Sequence, residues 1–444
     1  MVKKLLIANR GEIACRIIRT CKRLNIISVA VYSEADASSM HVKMADEAAA
    51  IGGSRVKESY LNIDHVLQAA KDTGADAVHP GYGLLSENAE FAARVKEEGI
   101  LFIGPEEHII EKMGDKIEAR QLMIQAGVPV VPGVELASTE EAQVVSAARD
   151  IGYPLMVKAA AGGGGIGMQK VENEAALMKA VSSVIKKAET FFGSAALFLE
   201  KYIEEPRHIE AQIAGDVHGE IRAIGTRDCS IQRRHQKVVE EAPPPNFSEA
   251  GEEALKKAAE KAAGALNYTN VGTVEFLVDE AENVYFLEMN TRLQVEHPVT
   301  EETTGIDLVE WQILLAEGER ISELPVTGKA ENCSLEVRLY AEDPKTFFPS
   351  PGKITAWSFP EVQGVRYDSG FTSGDTITPY YDPMIGKVIV SGEKREDVIK
   401  KLIYVLEEAE VTGIKTNIPM LIEVLKDVRF QNGEVSTHFL MQTL

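Results

Sequence analysis

The chain has 444 residues, 45% of them hydrophobic and 26% charged, with a formal net charge of -21. That length exceeds one ordinary hydrophobic core and implies two or three domains, and the composition is that of a soluble globular protein. An acidic balance without any long basic run argues against nucleic acid or an anionic membrane as main partner, and no apolar stretch has transmembrane length.

The opening MVKKLLIANRGE carries only a very short apolar run, which reads as a buried first strand and not a signal peptide. Residues 1–115 then alternate strand and helix. KLLIA, IISVAVYS, ADAVHP and ILFIGP read as strands. The helices between them are marked by Ile13, Ile17, Ile18, Cys21 and Leu24, by VLQAAKDTG and by NAEFAARVKEEG. Such alternation predicts a parallel doubly wound α/β sheet. Its turn at Gly11 lacks the G-x-G-x-x-G spacing, so nucleotide binding is not expected there. The four cysteines, Cys15, Cys21, Cys229 and Cys333, form no CxxC pair and no metal spacing, and read as reduced thiols of a cytoplasmic protein.

Residues of about 130–204 form a smaller α/β unit: strand PLMVKAA, a tetraglycine turn, a long helix around ENEAALMKAVSSVIKKAE and strand LFLEKYI. Two hairpins follow, HIEAQIAGD with GEIRAIGTRD and GTVEFLVD with NVYFLEMN, separated by the helix EEALKKAAEKAAGAL. A mixed α/β region rich in turn signals begins near residue 331. Without a long linker, these parts are expected to share one compact body.

Chemistry concentrates in LEMNTRLQVEHP. If this segment stays extended, Glu288, Asn290, Arg292, Gln294 and Glu296 share one face, opposite Leu287, Met289, Leu293 and Val295. An edge strand with a solvated face is the alternative. Carboxylates, amides and a guanidinium in one row resemble a ligand set more than generic solubilising charge. A hairpin turn centred between Ala281 and Glu282 pairs Glu275 with Glu288. Directly opposed carboxylates repel, and a divalent cation between them removes the cost. Oxygen ligands from Glu275, Glu288 and Asn290 suit Mg2+ or Mn2+ and not zinc. Such a metal points to a phosphorylated substrate, as do Lys116, Lys158 and the cluster Arg233, Arg234, His235 and Lys237, although a solvated charge run would look the same. KAAAGGGGIGM supplies bare backbone that can approach phosphate oxygens and close as a lid over ATP.

The stretches IANRGEIACRIIR, HPGYGLLSEN, KAAAGGGGIGM, EKYIEEPRHIE, DCSIQRRHQKVVEEAP, EMNTRLQVEHPVTE, EVRLYAEDP and YYDPMIGK together resemble the biotin carboxylases of the ATP-grasp superfamily, end to end. The resemblance implies an ATP-grasp fold in three regions. These are an N-terminal Rossmann-like domain (1–115), an ATP-grasp region (116–330) with a mobile B lid at about 130–204, and a C-terminal mixed α/β domain (331–444).

It also implies roles. Lys116 and Lys158 contact ATP phosphates beneath Gly162, Gly163, Gly164 and Gly165, and Glu200 holds adenine with the backbone at Lys201 and Ile203. His208, Gln232, His235 and Leu277 line the nucleotide pocket, and Glu275, Glu288 and Asn290 hold a pair of Mg2+ or Mn2+ ions. Lys237, Arg292, Gln294 and the Val295 backbone surround bicarbonate, Glu296 is the general base, and Arg338 faces the biotin ureido oxygen. Arg19 and Arg366 match homodimer positions. On residues alone, His208 and His235 read as structural histidines and Cys229 as an inert buried thiol.

The implied reaction is ATP-dependent carboxylation of biotin by bicarbonate through carboxyphosphate, the first half-reaction of an acetyl-CoA or other acyl-CoA carboxylase of fatty acid metabolism. Without an Ala-Met-Lys-Met motif, the chain reads as a free-standing subunit served in trans by a biotin carboxyl carrier protein and a carboxyltransferase component. One departure stands out: Ile166 follows the tetraglycine where the family usually has Arg or Lys. The competing readings are another ATP-grasp carboxylate–amine ligase and a catalytically impaired ATP-binding regulatory subunit.

Overall fold

The computed structural model describes every residue except Ala137, 160–167, 193–196, His235, Thr327 and Leu444. The N-terminal strands are β1 (Lys4–Ile7), β2 (Ile27–Tyr32), β3 (Glu47–Ala50), β4 (Ala77–His79) and β5 (Leu101–Phe102). They form an all-parallel sheet in the order β3-β2-β1-β4-β5, the doubly wound arrangement expected. The short β3, EAAA, carries no periodic apolar signal and was not expected. Helix α1 (Gly11–Leu24) buries Ile13, Ile17, Ile18 and Cys21, and stops where Asn25 turns left-handed at φ 57° and donates to the Cys21 and Lys22 carbonyls.

This layer contains two fully buried histidines. His41 Nε2 lies 3.3 Å from the Val31 carbonyl and His79 Nε2 lies 3.1 Å from Gln312 Oε1. Burial lowers their pKa values to about 4 and about 3. The unfolded chain, with histidines near 6.5, therefore binds more protons below that pH, and stability must fall on acidification. From about pH 6.5 to about pH 4, His41 alone should cost roughly 3 kcal/mol at about 1.4 kcal/mol per unit. Denaturant titrations at a series of pH values should show this decline, and His41→Gln should flatten part of it.

A four-stranded sheet, β6 (Gly133–Leu136), β7 (Leu155–Ala159), β8 (Met168–Val171) and β9 (Leu197–Lys201), in the order β6-β9-β7-β8, packs against helices Glu141–Ile151 and Glu174–Phe192. Its core of Val144, Leu155, Val157, Leu177, Val181 and Leu199 is separate from the others, as a lid-like unit requires.

The largest sheet has eight strands. Six are β10 (Arg207–Gly215), β11 (Ile221–Arg233), β12 (Gln236–Ala242), β13 (Asn270–Val278), β14 (Val284–Asn290) and β15 (Cys333–Tyr340), joined by Met384–Gly392 and Val365–Ser369. Their order is β14-β13-β10-β11-β12-β15, then Met384–Gly392, then Val365–Ser369. The sheet thus runs without a break from the ATP-grasp hairpins into the C-terminal region through the antiparallel β12–β15 pair. No described helix is long and apolar enough to cross a membrane.

Candidate active site

A cleft of about 1250 Å3 opens along the edge of the large sheet, between the N-terminal domain and the lid. Its lining includes Lys116, Lys158, Glu200, His208, Gln232, Lys237, Glu275, Leu277, Glu288, Asn290, Arg292, Gln294, Val295 and Arg338, all expected site residues. Lys201 and Ile203 follow at the end of β9, outside that lining, and the Lys201 N–H already donates to the Pro132 carbonyl at 2.8 Å. Gly162, Gly163, Gly164, Gly165, Ile166 and His235 lie outside the described residues.

Sheet register builds the floor. Arg227 pairs with Glu210, Glu210 with Glu275, and Glu275 with Glu288, so one rung across β11, β10, β13 and β14 carries one cation and three carboxylates. Glu275 does oppose Glu288, but by a route the sequence reading lacked. Val278, Leu277 and Phe276 pair with Val284, Tyr285 and Phe286, and a bulge then shifts the register. Leu287 is the extra residue. Expected on the buried apolar face, it is 42% exposed and lines the cleft instead, because a bulge re-aims the side chain that it inserts.

The extended reading of LEMNTRLQVEHP also needs correction. The strand ends at Asn290, the chain bends, and Glu296 becomes the N-cap residue of helix His297–Thr304. Convergence survives because the turn folds the polar groups back onto β13. Asn290 Nδ2 and Gln294 Nε2 each donate to Glu275 Oε1 at 2.8 Å. Arg292 donates to Asn290 Oδ1 at 2.9 Å and to Glu87 Oε2 at 2.8 Å.

Lys237 is the hub. Its Nζ donates to Glu210, Glu275 and Glu296 at 2.7, 2.8 and 2.6 Å, and those three carboxylates hold its pKa well above normal against burial. Arg338 reaches the other oxygen of Glu296 at 2.9 Å and donates from Nε to Glu240 at 2.6 Å. Burial alone would favour a protonated Glu296. Lys237, Arg338 and Arg227 outweigh it and hold that carboxyl well below the usual range. Cys229 lies 3.9 Å from Glu296, and burial beside Glu210 pushes its thiol well up, so it is the inert thiol expected.

The chemistry of the donor set fits a hard divalent cation. Burial and the Glu275 charge push the Glu288 carboxyl up, as they must for opposed carboxylates, and the nearby cation Lys116 stands 3.6 Å off and is 80% exposed. His208 Nε2 lies 2.7 Å from Glu275 Oε2. The Asn290 oxygen accepts from Arg292, and Glu275 Oε1 accepts from Lys237, Asn290 and Gln294.

Lys158 and Glu200 form an ion pair across β7 and β9, with Arg120 3.8 Å from the same carboxylate. Arg233, grouped with the phosphate-binding cations by sequence, is instead paired with Glu342 and stacked over Phe347 at 4.6 Å. Arg19 and Arg366 lie away from the cleft, in a hollow of about 320 Å3, and share Asp368 at 2.6 and 2.8 Å.

Sequence reasoning missed the supporting charges Glu12, Glu87, Glu210, Arg227, Glu240, Glu336 and Lys387. The period-two run His208, Glu210, Gln212 within an otherwise apolar strand was the available signal for one of them.

Three family models match the chain: Biotin carboxylase, N-terminal domain (residues 1–110), Carbamoyl-phosphate synthase L chain, ATP binding domain (115–324), and Biotin carboxylase C-terminal domain (336–442). A biotin carboxylase of Halalkalibacterium halodurans is 57% identical over 100% of this chain and 98% of that protein. Among solved structures, the Campylobacter jejuni biotin carboxylase in complex with β,γ-ATP superposes with a TM-score of 0.91 at 46% identity, covering 100% of this chain and 99% of that one. The biotin carboxylase domain dimer of Hydrogenobacter thermophilus 2-oxoglutarate carboxylase, in complex with MgADP, ADP and bicarbonate, superposes with a TM-score of 0.89 at 46% identity, covering 100% and 98%.

Proposed function

Because the chain belongs to the biotin carboxylase family, we propose that it catalyses ATP-dependent carboxylation of biotin by bicarbonate, with the roles assigned below. The observation that carries this reading is the Lys237–Glu296–Arg338 constellation, in which Lys237 and Arg338 line the cleft and both hold the buried Glu296 beneath it. Lys237, Arg292, Gln294 and the Val295 backbone receive bicarbonate. That anion competes with Glu296 for Lys237 and Arg338. As it takes them over, Glu296 loses compensation, gains basicity, and can accept the bicarbonate proton as the bicarbonate oxygen attacks the ATP γ-phosphate and the β,γ P–O bond breaks to release ADP.

Lys116 and Lys158 offset charge on the transferring phosphoryl group, and Glu275 and Glu288 would hold the divalent metal. When bound, Mg2+ or Mn2+ would supply positive charge that offsets the phosphate oxygens. The product carboxyphosphate breaks down to CO2 and phosphate, and the phosphate takes the proton from biotin N1′. Arg338 then faces the enolate-like ureido oxygen while N1′ attacks CO2. Tethers from Glu240 and Glu296 hold its guanidinium for that task.

This reading makes the chain a cytoplasmic partner of a biotin carboxyl carrier protein and a carboxyltransferase component, and a homodimer through the Arg19/Arg366 surface. Labelled bicarbonate with ATP, Mg2+ and biotin should yield labelled carboxybiotin. A folded, ATP-binding protein that transfers no label would refute it.

A further inference from the structure

Glu240 of β12 and Glu336 of β15 are directly opposed on adjacent antiparallel strands, and both are fully buried. Arg338 follows Glu336 by two residues on the same face and donates to Glu240 Oε1 and to Glu296 Oε2. Glu240 Oε2 and both oxygens of Glu336 are left buried without a hydrogen-bond partner. Lys387 Nζ comes only within 4.0 Å of Glu336. Its hydrogen bond goes to the Val295 carbonyl at 2.6 Å, and it stands 3.4 Å from Glu12. Glu296 also has Lys237, but among the described residues Arg338, which it shares, is the only cation bonded to Glu240, and no donor reaches Glu336; an ionised carboxylate without donors is too costly in a dry site.

We propose that Glu240 and Glu336 carry at least one proton between them at neutral pH, and that Glu240 is a positioning residue that holds Arg338 in its working orientation beside Glu296. The second half rests on the functional reading above, in which Arg338 serves biotin.

The surroundings agree. Facing the pair are Lys237 on β12, Arg338 and Tyr340 on β15, Glu296 at the start of helix His297–Thr304, Lys387 on the next strand, and Tyr82, which donates to Glu12. Burial raises Glu240 to about 7 and pushes Glu336 well above the carboxylate range. Above neutrality Glu240 is ionised and holds Arg338 with a charge-assisted bond. Below it, a neutral Glu240 still accepts from Nε but no longer offsets the guanidinium charge.

Glu240→Gln and Glu336→Gln preserve shape. Infrared spectra of the full-length protein, titrated through neutrality, should show buried protonated-carboxyl absorption. Glu336→Gln should remove the part that persists throughout, and Glu240→Gln the part that titrates near 7. Glu240→Ala should lower kcat for biotin carboxylation about tenfold or more, the effect of losing one hydrogen bond to a charged group, and change biotin-independent, bicarbonate-dependent ATP cleavage by about threefold or less. Glu240→Gln should restore most of the lost rate. Protonated-carboxyl absorption that survives unchanged in both glutamine variants overturns the proposal. So does parallel loss of both activities in Glu240→Ala without rescue by glutamine. Wild-type protein that shows the absorption but carboxylates no biotin leaves the proton-bearing pair standing and overturns the functional reading instead.

Discussion

Replacing Glu296 with glutamine should lower bicarbonate-dependent ATP cleavage roughly a hundredfold to ten-thousandfold, the range of a lost general base. The substitution removes basicity with little change of shape. It should also leave the fold intact, because Lys237 keeps Glu210 and Glu275 at 2.7 and 2.8 Å and Arg338 keeps Glu240 at 2.6 Å. Glu296 is held ionised well below neutrality, so its own protonation should not limit the rate near pH 7. Arg338→Gln should behave differently, because the charge that Arg338 is proposed to face develops on the ureido oxygen only after ATP has been cleaved. It should reduce biotin carboxylation much more than ATP cleavage. Steady-state assays of both activities on both variants decide the matter, and equal loss of both activities in each variant would contradict the division of roles.

The elements of the N-terminal sheet were legible because alternation of apolar strands and amphipathic helices is a strong local signal, while EAAA at Glu47–Ala50 has none and forms a strand only by pairing with β2. Glu275 and Glu288 were legible because carboxylates opposed on a hairpin are costly and therefore informative. What alternation could not contain was geometry set by tertiary contact. The bulge at Leu287 and the bend after Asn290 depend on how β14 meets β13 and how helix His297–Thr304 begins, yet they bring Glu288 and Gln294 to the cleft and Glu296 beneath it, against Lys237 and Arg338. Period two grouped residues that do converge, but through partly wrong geometry. The counter-charges stayed hidden for a related reason. Glu210, Arg227, Glu240 and Lys387 lie far apart in sequence and become neighbours only through the sheet order β10-β11-β12-β15 and the strand after it.

Arg227 shows what that hidden layer does, and its replacement by methionine should be strongly destabilising. The side chain is fully buried and bonds Glu210, Gln212 and Thr300, with Thr273 at 3.1 Å. Glu210 and Glu275 oppose each other on β10 and β13, so without the guanidinium Glu210 is left, among the described residues, with Lys237 as its only cation, which it must share with Glu275 and Glu296. Breaking a buried ion pair by removing one partner costs about 3–5 kcal/mol, mostly through the charge left behind. Arg227→Met should therefore lower the denaturation midpoint markedly. It should also weaken bicarbonate-dependent turnover, because Lys237 is drawn toward Glu210. If stranded charge is the cause, adding Glu210→Gln should recover more than half of the lost stability, since the double variant leaves no unpaired carboxylate on that rung. A double variant no more stable than Arg227→Met would mean that the guanidinium contributes by filling space between β10, β11 and helix His297–Thr304, and the charge argument would fail. Denaturant unfolding of the two single variants and the double variant, read as a mutant cycle, separates these outcomes.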